Sequence, residues 1–170
     1  MAHSARYRVK PRRRREGRTD YRKRLALLKS GKPRAVVRKS LKHIRIQIVE
    51  YKEGGDHILA SGFSKELISK YSWKHSTSST PAAYLTGLIV GKKAIKHGVS
   101  ECILDIGRYP PVTGSKVFAC QKGLIDAGLK CPFSEKKIPN EDRLTGKHLD
   151  DKNINSDLEK IKEKILGGKE

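Results

Sequence analysis

Cysteine is scarce: Cys102, Cys120 and Cys131 are the only three in 170 residues. Their spacings match no zinc ligand set, and an odd count completes no disulfide framework, so reduced thiols are expected. Long apolar runs are also missing. The longest, Ala82 to Val90, is about half of the roughly 20 residues that span a bilayer. The Arg-rich start lacks the apolar segment of a secretory signal. A soluble intracellular protein is expected.

Catalytic vocabulary is absent as well. The chain has no H-E-x-x-H, no C-x-x-C and no G-x-S-x-G. Gly107 and Gly114 are followed by Ser115-Lys116, so the Lys-Ser/Thr pair of a phosphate loop is missing. Gly87-x-x-x-Gly91 reads as a helix-packing element. The six histidines are scattered without a partner at metal spacing, so no metal and no cofactor is expected. Asp105 closes a strand pattern, where active sites often place a carboxylate, but alone it reads as a turn or cap residue. No enzyme is expected.

Acidic residues are few where basic ones are many. Lys and Arg number 38 against 18 Asp and Glu, a net charge of +20 and a pI near 10.1. Residues 1–45 hold 18 of the cations against only Glu16 and Asp20. A charge so large and so uneven favours a polyanionic partner, because in isolation it repels itself.

The chain divides into three parts. Residues 1–20 read as a basic arm: Arg12 to Arg15 stand beside Pro11 and Gly17, with no apolar periodicity to fold around. Residues 21–133 carry the pattern of one α/β domain. Asp20 is placed to cap a helix to about Ser30, in which Tyr21, Leu25 and Leu28 share a face. Arg34 to Ser40 is a short strand. Ile44, Ile46 and Ile48 alternate with Arg45, Gln47 and Val49, the signature of a strand with one buried face. A Gly54-Gly55 turn returns the chain into a third strand from Ile58 to Gly62.

A short helix over 64–71 follows. Thr80 is the expected cap of a helix with Pro81 in its first turn, running to His97 and stopped by Gly98. Its small residues Ala83, Gly87, Gly91 and Ala94 predict close approach to a sheet. A buried strand over 102–106, a loop to Gly114 and a helix capped by Ser115 come next. In that helix Val117, Cys120, Leu124 and Ala127 form one stripe. Leu129 to Cys131 is expected as a last strand. Residues 134–170 form a mixed-charge extension with nine basic and nine acidic side chains. It ends in an amphipathic helix that Ser156 to Glu159 would cap, with Leu158, Ile161 and Ile165 on one face.

Binding chemistry is concentrated early. Arg12, Arg13, Arg14 and Arg15 offer guanidinium forks for phosphate oxygens, continued by Arg18, Arg22, Lys23 and Arg24. Arg34, Arg38, Lys39, Lys42 and Arg45 form a second cluster around the first two strands. His43 and Tyr109 add flat groups suited to unpaired bases, and Lys116 opens a later helix. Phosphate contacts confer affinity more than specificity, so these residues by themselves indicate only a nucleic-acid binder.

Particular words narrow this. Lys32-Pro-Arg-Ala-Val-Val-Arg-Lys-Ser-Leu-Lys-His-Ile-Arg-Ile-Gln47 resembles the opening sheet motif of the universal large-subunit ribosomal protein eighteen family. Thr80-Pro-Ala-Ala-Tyr-Leu-Thr-Gly87, Leu104-Asp-Ile-Gly107, Gly114-Ser-Lys-Val-Phe-Ala119 and Asp126-Ala-Gly-Leu129 resemble its later elements in the same order. The arm from Arg12 to Tyr21 and the stretch from Ser134 to Arg143 are similar to extensions of its archaeal form. Leu41 departs from the family, which commonly has Asn there.

The resemblance implies binding to 5S rRNA, its attachment to large-subunit rRNA in the central protuberance, and neighbouring ribosomal proteins that include another 5S binder. It also implies a fold similar to ribonuclease H, with a mixed sheet of about five strands and packed helices. That fold raises a nuclease as the enzyme alternative, which would need clustered carboxylates around metal ions. The first strand is instead basic where an acidic ligand would sit. A generic RNA chaperone or DNA-compacting protein fits the charge but not the ordered α/β core.

Overall fold

In a computed structural model, residues 4–149 and 153–167 are described. The outermost parts of the expected arm and extension, residues 1–3 and 168–170, lie outside that range, as do residues 150–152. The described chain opens with a single helical turn, α1 (Arg12–Arg15), and then α2 (Tyr21–Leu28), whose Asp20 cap accepts from the amides of Arg22 and Lys23. Next come β1 (Arg34–Lys39), β2 (Ile44–Lys52) and β3 (Gly55–Phe63), an antiparallel meander. Then follow α3 (Glu66–Tyr71), α4 (Thr80–Lys96), β4 (Ile103–Asp105), α5 (Lys116–Asp126), α6 (Glu141–Thr145) and α7 (Ile154–Leu166). The sheet is mixed, in the order β3-β2-β1-β4, with β1 and β4 parallel.

The alternation in β2 does what its pattern dictates. Ile44, Ile46 and Ile48 turn into the core beside Ala35 and Val37, while Arg45 is exposed. Val49, expected with Arg45 on the open face, is buried all the same. A register shift falls between Ile48 and Val49, and Val49 pairs with Arg34, whose ion pairs close that end of the sheet. The β2–β3 turn is tighter than expected, because Lys52 already pairs with Gly55 and β3 starts there rather than at Ile58.

Helix α4 is buried on nearly every side, from Thr80 to Gly91. A helix apolar all round belongs at the centre of a fold, and α4 sits against the sheet, α5 and α7. Its cap is Ser79, not Thr80: the Ser79 hydroxyl accepts from the Ala82 amide, one residue earlier than the sequence suggested. Gly98 stops it in the left-handed region, at φ 78°.

The small residues of α4 serve a different neighbour from the one expected. A Cβ on Gly87 would lie 2.3 Å from the Cys120 carbonyl oxygen, and one on Gly91 would lie 2.4 Å from Ala127 Cβ. On the facing helix, a Cβ on Gly123 would lie 2.2 Å from the Tyr84 carbonyl oxygen. Glycines on both surfaces thus bring α4 against α5, whereas its sheet-side contact is Thr86 and Val90 against Gly62 of β3. Tyr84 adds a hydrogen bond from its hydroxyl to Asp126, 2.8 Å.

Two expectations at the C-terminal end change. The fifth strand over 129–131 shrinks to one parallel bridge, Lys130 with Glu101, because Pro132 follows and supplies no amide. The last helix begins at Ile154, so Ser156 lies inside it and caps nothing. That helix is docked: Ile154, Leu158, Ile161 and Ile165 are buried in the same core as α4. No helix of the described residues is long and apolar enough to cross a membrane.

Candidate nucleic-acid interface

The sheet has one face under α4 and a second face turned away from it, which α2 reaches through Arg24. Strand alternation sends Arg34 and Arg38 of β1, Arg45 and Gln47 of β2, Phe63 of β3 and Asp105 of β4 to the second face. What each cation does there depends on its neighbours.

Arg34 is only 2 % exposed. Its Nη1 reaches Asp105 at 2.9 Å and its Nη2 reaches Asp56 at 2.8 Å. The sequence placed Arg34 among the RNA-facing residues; in the folded chain it is instead shut off from solvent, with both ends of its fork on carboxylates. Arg24 is partly withdrawn in the same way, holding both oxygens of Asp56 at 2.9 and 3.0 Å. Burial disfavours the Asp56 carboxylate, yet hydrogen bonds and charges from Arg34 and Arg24 outweigh it and hold its pKa below the ordinary value.

Arg38 is half committed. Its Nη1 donates to the carbonyls of Val37 and Asp105, at 2.8 and 3.0 Å, and its Nη2 meets Asp105 at 3.3 Å, while the side chain stays 44 % exposed. Arg45 is directly opposite Arg38 in the ladder and lies over the Phe63 ring, 5.4 Å from its centre. Two like charges face each other across the strands, an arrangement unfavourable in itself.

Lys39, Leu41 and Lys42 are presented by a braced turn. The Ser40 hydroxyl donates to the His43 carbonyl and accepts from the His43 amide, each at 3.0 Å. The Thr77 hydroxyl gives its one proton to the Lys42 carbonyl at 2.7 Å, so the 3.0 Å contact with His43 Nδ1 makes that nitrogen the donor. The His43 ring packs on Phe63 with centroids 4.9 Å apart. The Tyr109 hydroxyl donates to the Lys39 carbonyl at 2.6 Å, and Lys39 Nζ sits 5.2 Å from that ring's centre. Both flat residues therefore stiffen the turn as well as lining it. Leu41 at the tip is 96 % exposed.

The basic arm is not shapeless. Arg12 and Arg18 both pair with Glu16, at 2.7 and 3.0 Å, and Arg13 donates to the Thr19 hydroxyl at 2.9 Å. The Gly17 carbonyl accepts from Arg108, a tie the sequence did not signal. Arg12 to Arg15 form one exposed turn, and Arg22 and Lys23 are exposed on α2. Between this segment and the ends of β1 and β4 runs a groove of about 380 Å³, lined by Arg13, Arg18, Lys23, Arg38 and Gly107 among others. It joins two cationic clusters that are separate in the sequence. Lys116, half-buried, opens α5 beyond the 107–114 loop.

The same geometry shows what occupies Asp105, the carboxylate at the end of β4. Asp105 is a turn residue, accepting from the Gly107 amide at 2.8 Å, and a counter-ion of Arg34 and Arg38. Among the described residues no group of three or more His, Cys, Asp or Glu is placed to hold a metal ion.

Comparison with known proteins agrees. Residues 5–101 match the family of "Ribosomal large subunit proteins 60S L5, and 50S L18". The "Large ribosomal subunit protein uL18" of Korarchaeum cryptofilum is 53 % identical over 149 residues, covering 88 % of this chain and 76 % of its own. The protein of the same name from Methanothermobacter thermautotrophicus is 49 % identical over 149 residues, covering 88 % of this chain and 77 % of its own. These are ribosomal proteins, not enzymes. With an α/β core whose outer face and arm are cationic, and half its sequence shared with archaeal relatives, the chain belongs to the family of large-subunit ribosomal proteins 60S L5 and 50S L18.

Proposed function

We propose that this chain, a ribosomal protein of the large subunit, binds 5S rRNA and helps attach it to the large-subunit rRNA in the central protuberance, beside another 5S-binding protein. The observation that carries the reading is the Arg38–Arg45 pair. Arg38 and Arg45 occupy opposed positions of β1 and β2 on the open sheet face, Arg38 reaching toward Asp105 of β4 and Arg45 lying over Phe63 of β3; the braced Lys39–Lys42 turn flanks them, and the groove continues from Arg38 to the arm. Like charges held together by a rigid sheet repel in the free protein, and an RNA backbone relieves that repulsion.

In this reading residues 1–20 are a strap, 21–133 form the RNA-binding domain, and 134–170 are an extension whose helix α7 completes the core. Arg12 to Arg15, Arg18, Arg22 and Lys23 supply phosphate contacts from the strap and α2. Arg38, Lys39, Lys42 and Arg45 supply them from the sheet, with His43 and Tyr109 supporting the turn and Lys116 at its margin.

The test is competition. Purified protein is titrated with its cognate 5S transcript and with an unrelated structured RNA of equal length at near-physiological salt. The reading expects at least about tenfold preference for 5S, equivalent to roughly 1.4 kcal/mol. Equal affinity for both RNAs rejects it.

A further inference from the structure

Two cysteines lie together at the edge of the sheet. The bridge between Glu101 and Lys130 is parallel, and the Cys102 amide donates to the Lys130 carbonyl at 3.0 Å. Cys102 and Cys131, one residue further on each strand, are therefore lateral neighbours. Adjacent strands are about 4.8 Å apart, within the roughly 4.4–6.8 Å that disulfides span between Cα atoms. We propose that Cys102 and Cys131 form a thiol pair that a hydroperoxide converts to a disulfide, with Cys131 as the attacking thiol and Cys102 as the resolving one.

The surroundings assign these roles. Cys131 lines an open groove with Lys32, Lys130, Leu129 and Phe133, whereas Cys102 is fully buried behind it. The Cys131 sulfur collects donors: the Cys102 thiol, the Gln121 amide at 3.4 Å and the Leu104 backbone amide. Gln121 is itself buried and is fixed by its bond to the Pro132 carbonyl at 2.7 Å. These donors hold the Cys131 thiol below its ordinary pKa despite burial, and the same hydrogen bond pushes Cys102 up. Cys120 differs: buried inside α5, it is pushed up by burial.

The chemistry balances with hydrogen peroxide, the simplest hydroperoxide, as oxidant. The Cys131 thiolate attacks one peroxide oxygen, the O–O bond breaks, and the leaving oxygen departs as water after protonation, leaving a sulfenic acid. The Cys102 sulfur then attacks the Cys131 sulfur. An S–S bond forms, the S–O bond breaks, and the Cys102 proton leaves in a second water. Closure acts on a single bridge that Pro132 already terminates, so little paired backbone has to adjust. The product would staple the segment after α5 to the residue that leads into β4.

The full chain is treated with hydrogen peroxide, alkylated under denaturing conditions and digested without reduction. The expected result is a Cys102–Cys131 linked peptide, about 2 Da lighter than its parts through the two hydrogens removed on oxidation, and released by dithiothreitol. The link should persist in Cys120→Ser. Unreacted thiols, Cys131 trapped as sulfinic acid without a link, or a link through Cys120 would each overturn the assignment. Because the wild-type protein gives the decisive map, the result does not hinge on whether a cysteine variant folds.

Discussion

The guanidinium of Arg34 and the carboxylate of Asp105 meet at 2.9 Å with the first only 2 % and the second 7 % exposed. They join neighbouring parallel strands β1 and β4, and Asp56 on β3 takes the other end of the same fork. One arginine thus ties three strands of the sheet from its outer face. A buried ion pair is weak evidence of net stability, but removing one member strands the other charge.

Arg34→Ala is therefore expected to destabilise the fold by about 3 kcal/mol, the scale for breaking a buried pair. Urea unfolding measures this. The RNA affinity of the fraction that stays folded should be unchanged, because Arg34 is shut off from solvent. A lower affinity with unchanged stability would return Arg34 to the interface.

The open sheet face predicts the reverse pattern. Replacing Lys39, Lys42 and Arg45 together by Gln should leave circular dichroism and unfolding nearly unaltered, since all three are exposed. The slope of log affinity against log salt should become shallower by about 1 for each phosphate that is no longer neutralised. Binding titrations at several salt concentrations supply the slopes; an unaltered slope places the phosphates elsewhere.

Close helix packing gives a steric prediction. Gly123→Ala puts a Cβ 2.2 Å from the Tyr84 carbonyl oxygen, and that backbone lies in a helix held on all sides. A loss of about 3 kcal/mol is expected, at the upper end of overpacking effects. Gly54→Ala, which meets nothing within 4 Å, should stay within about 0.5 kcal/mol of the parent in the same thermal or urea assay.

Helix α7 offers a test of docking. Ile161 is 4 % exposed in the core shared with α4. Ile161→Ala should cost about 3 kcal/mol, and Ile161→Asp should release the helix. Amide exchange over 154–166 would then rise to unprotected rates, while exchange in β2 should rise only as far as the lower global stability allows.

Acid should weaken the fold through Asp56. Its pKa in the folded protein is held below the ordinary 3.8, so its contribution is fully present above that value and is lost as pH falls through the folded one. Glu66, held below its ordinary 4.5 by Lys93 and the Phe63 amide against the opposing effect of burial, acts in the same direction. Unfolding free energies should therefore drop below about pH 4. In Asp56→Asn that drop should be smaller, with part of the stability already missing at neutral pH.

Much of this was legible in the sequence because it depends on local periodicity and composition. The alternation in Ile44–Ile48, the cap at Asp20, the stop at Gly98 and the α5 stripe are set by nearest neighbours along the chain, and the charge of the first 45 residues points to a polyanion whatever the fold. Tertiary structure alone decided which cations remain available. Arg34 and Arg38 share one face of one strand and look alike in sequence. Asp56 and Asp105 arrive from distant strands to bury the first and to hold the second only in part. Likewise Gly87 and Gly91 announce a close approach, but only the meeting with Gly123 shows that the partner is a helix and not the sheet. Contacts between residues far apart in sequence leave no periodic trace, so ion-pair assignment and helix-partner choice stayed hidden until the chain was folded.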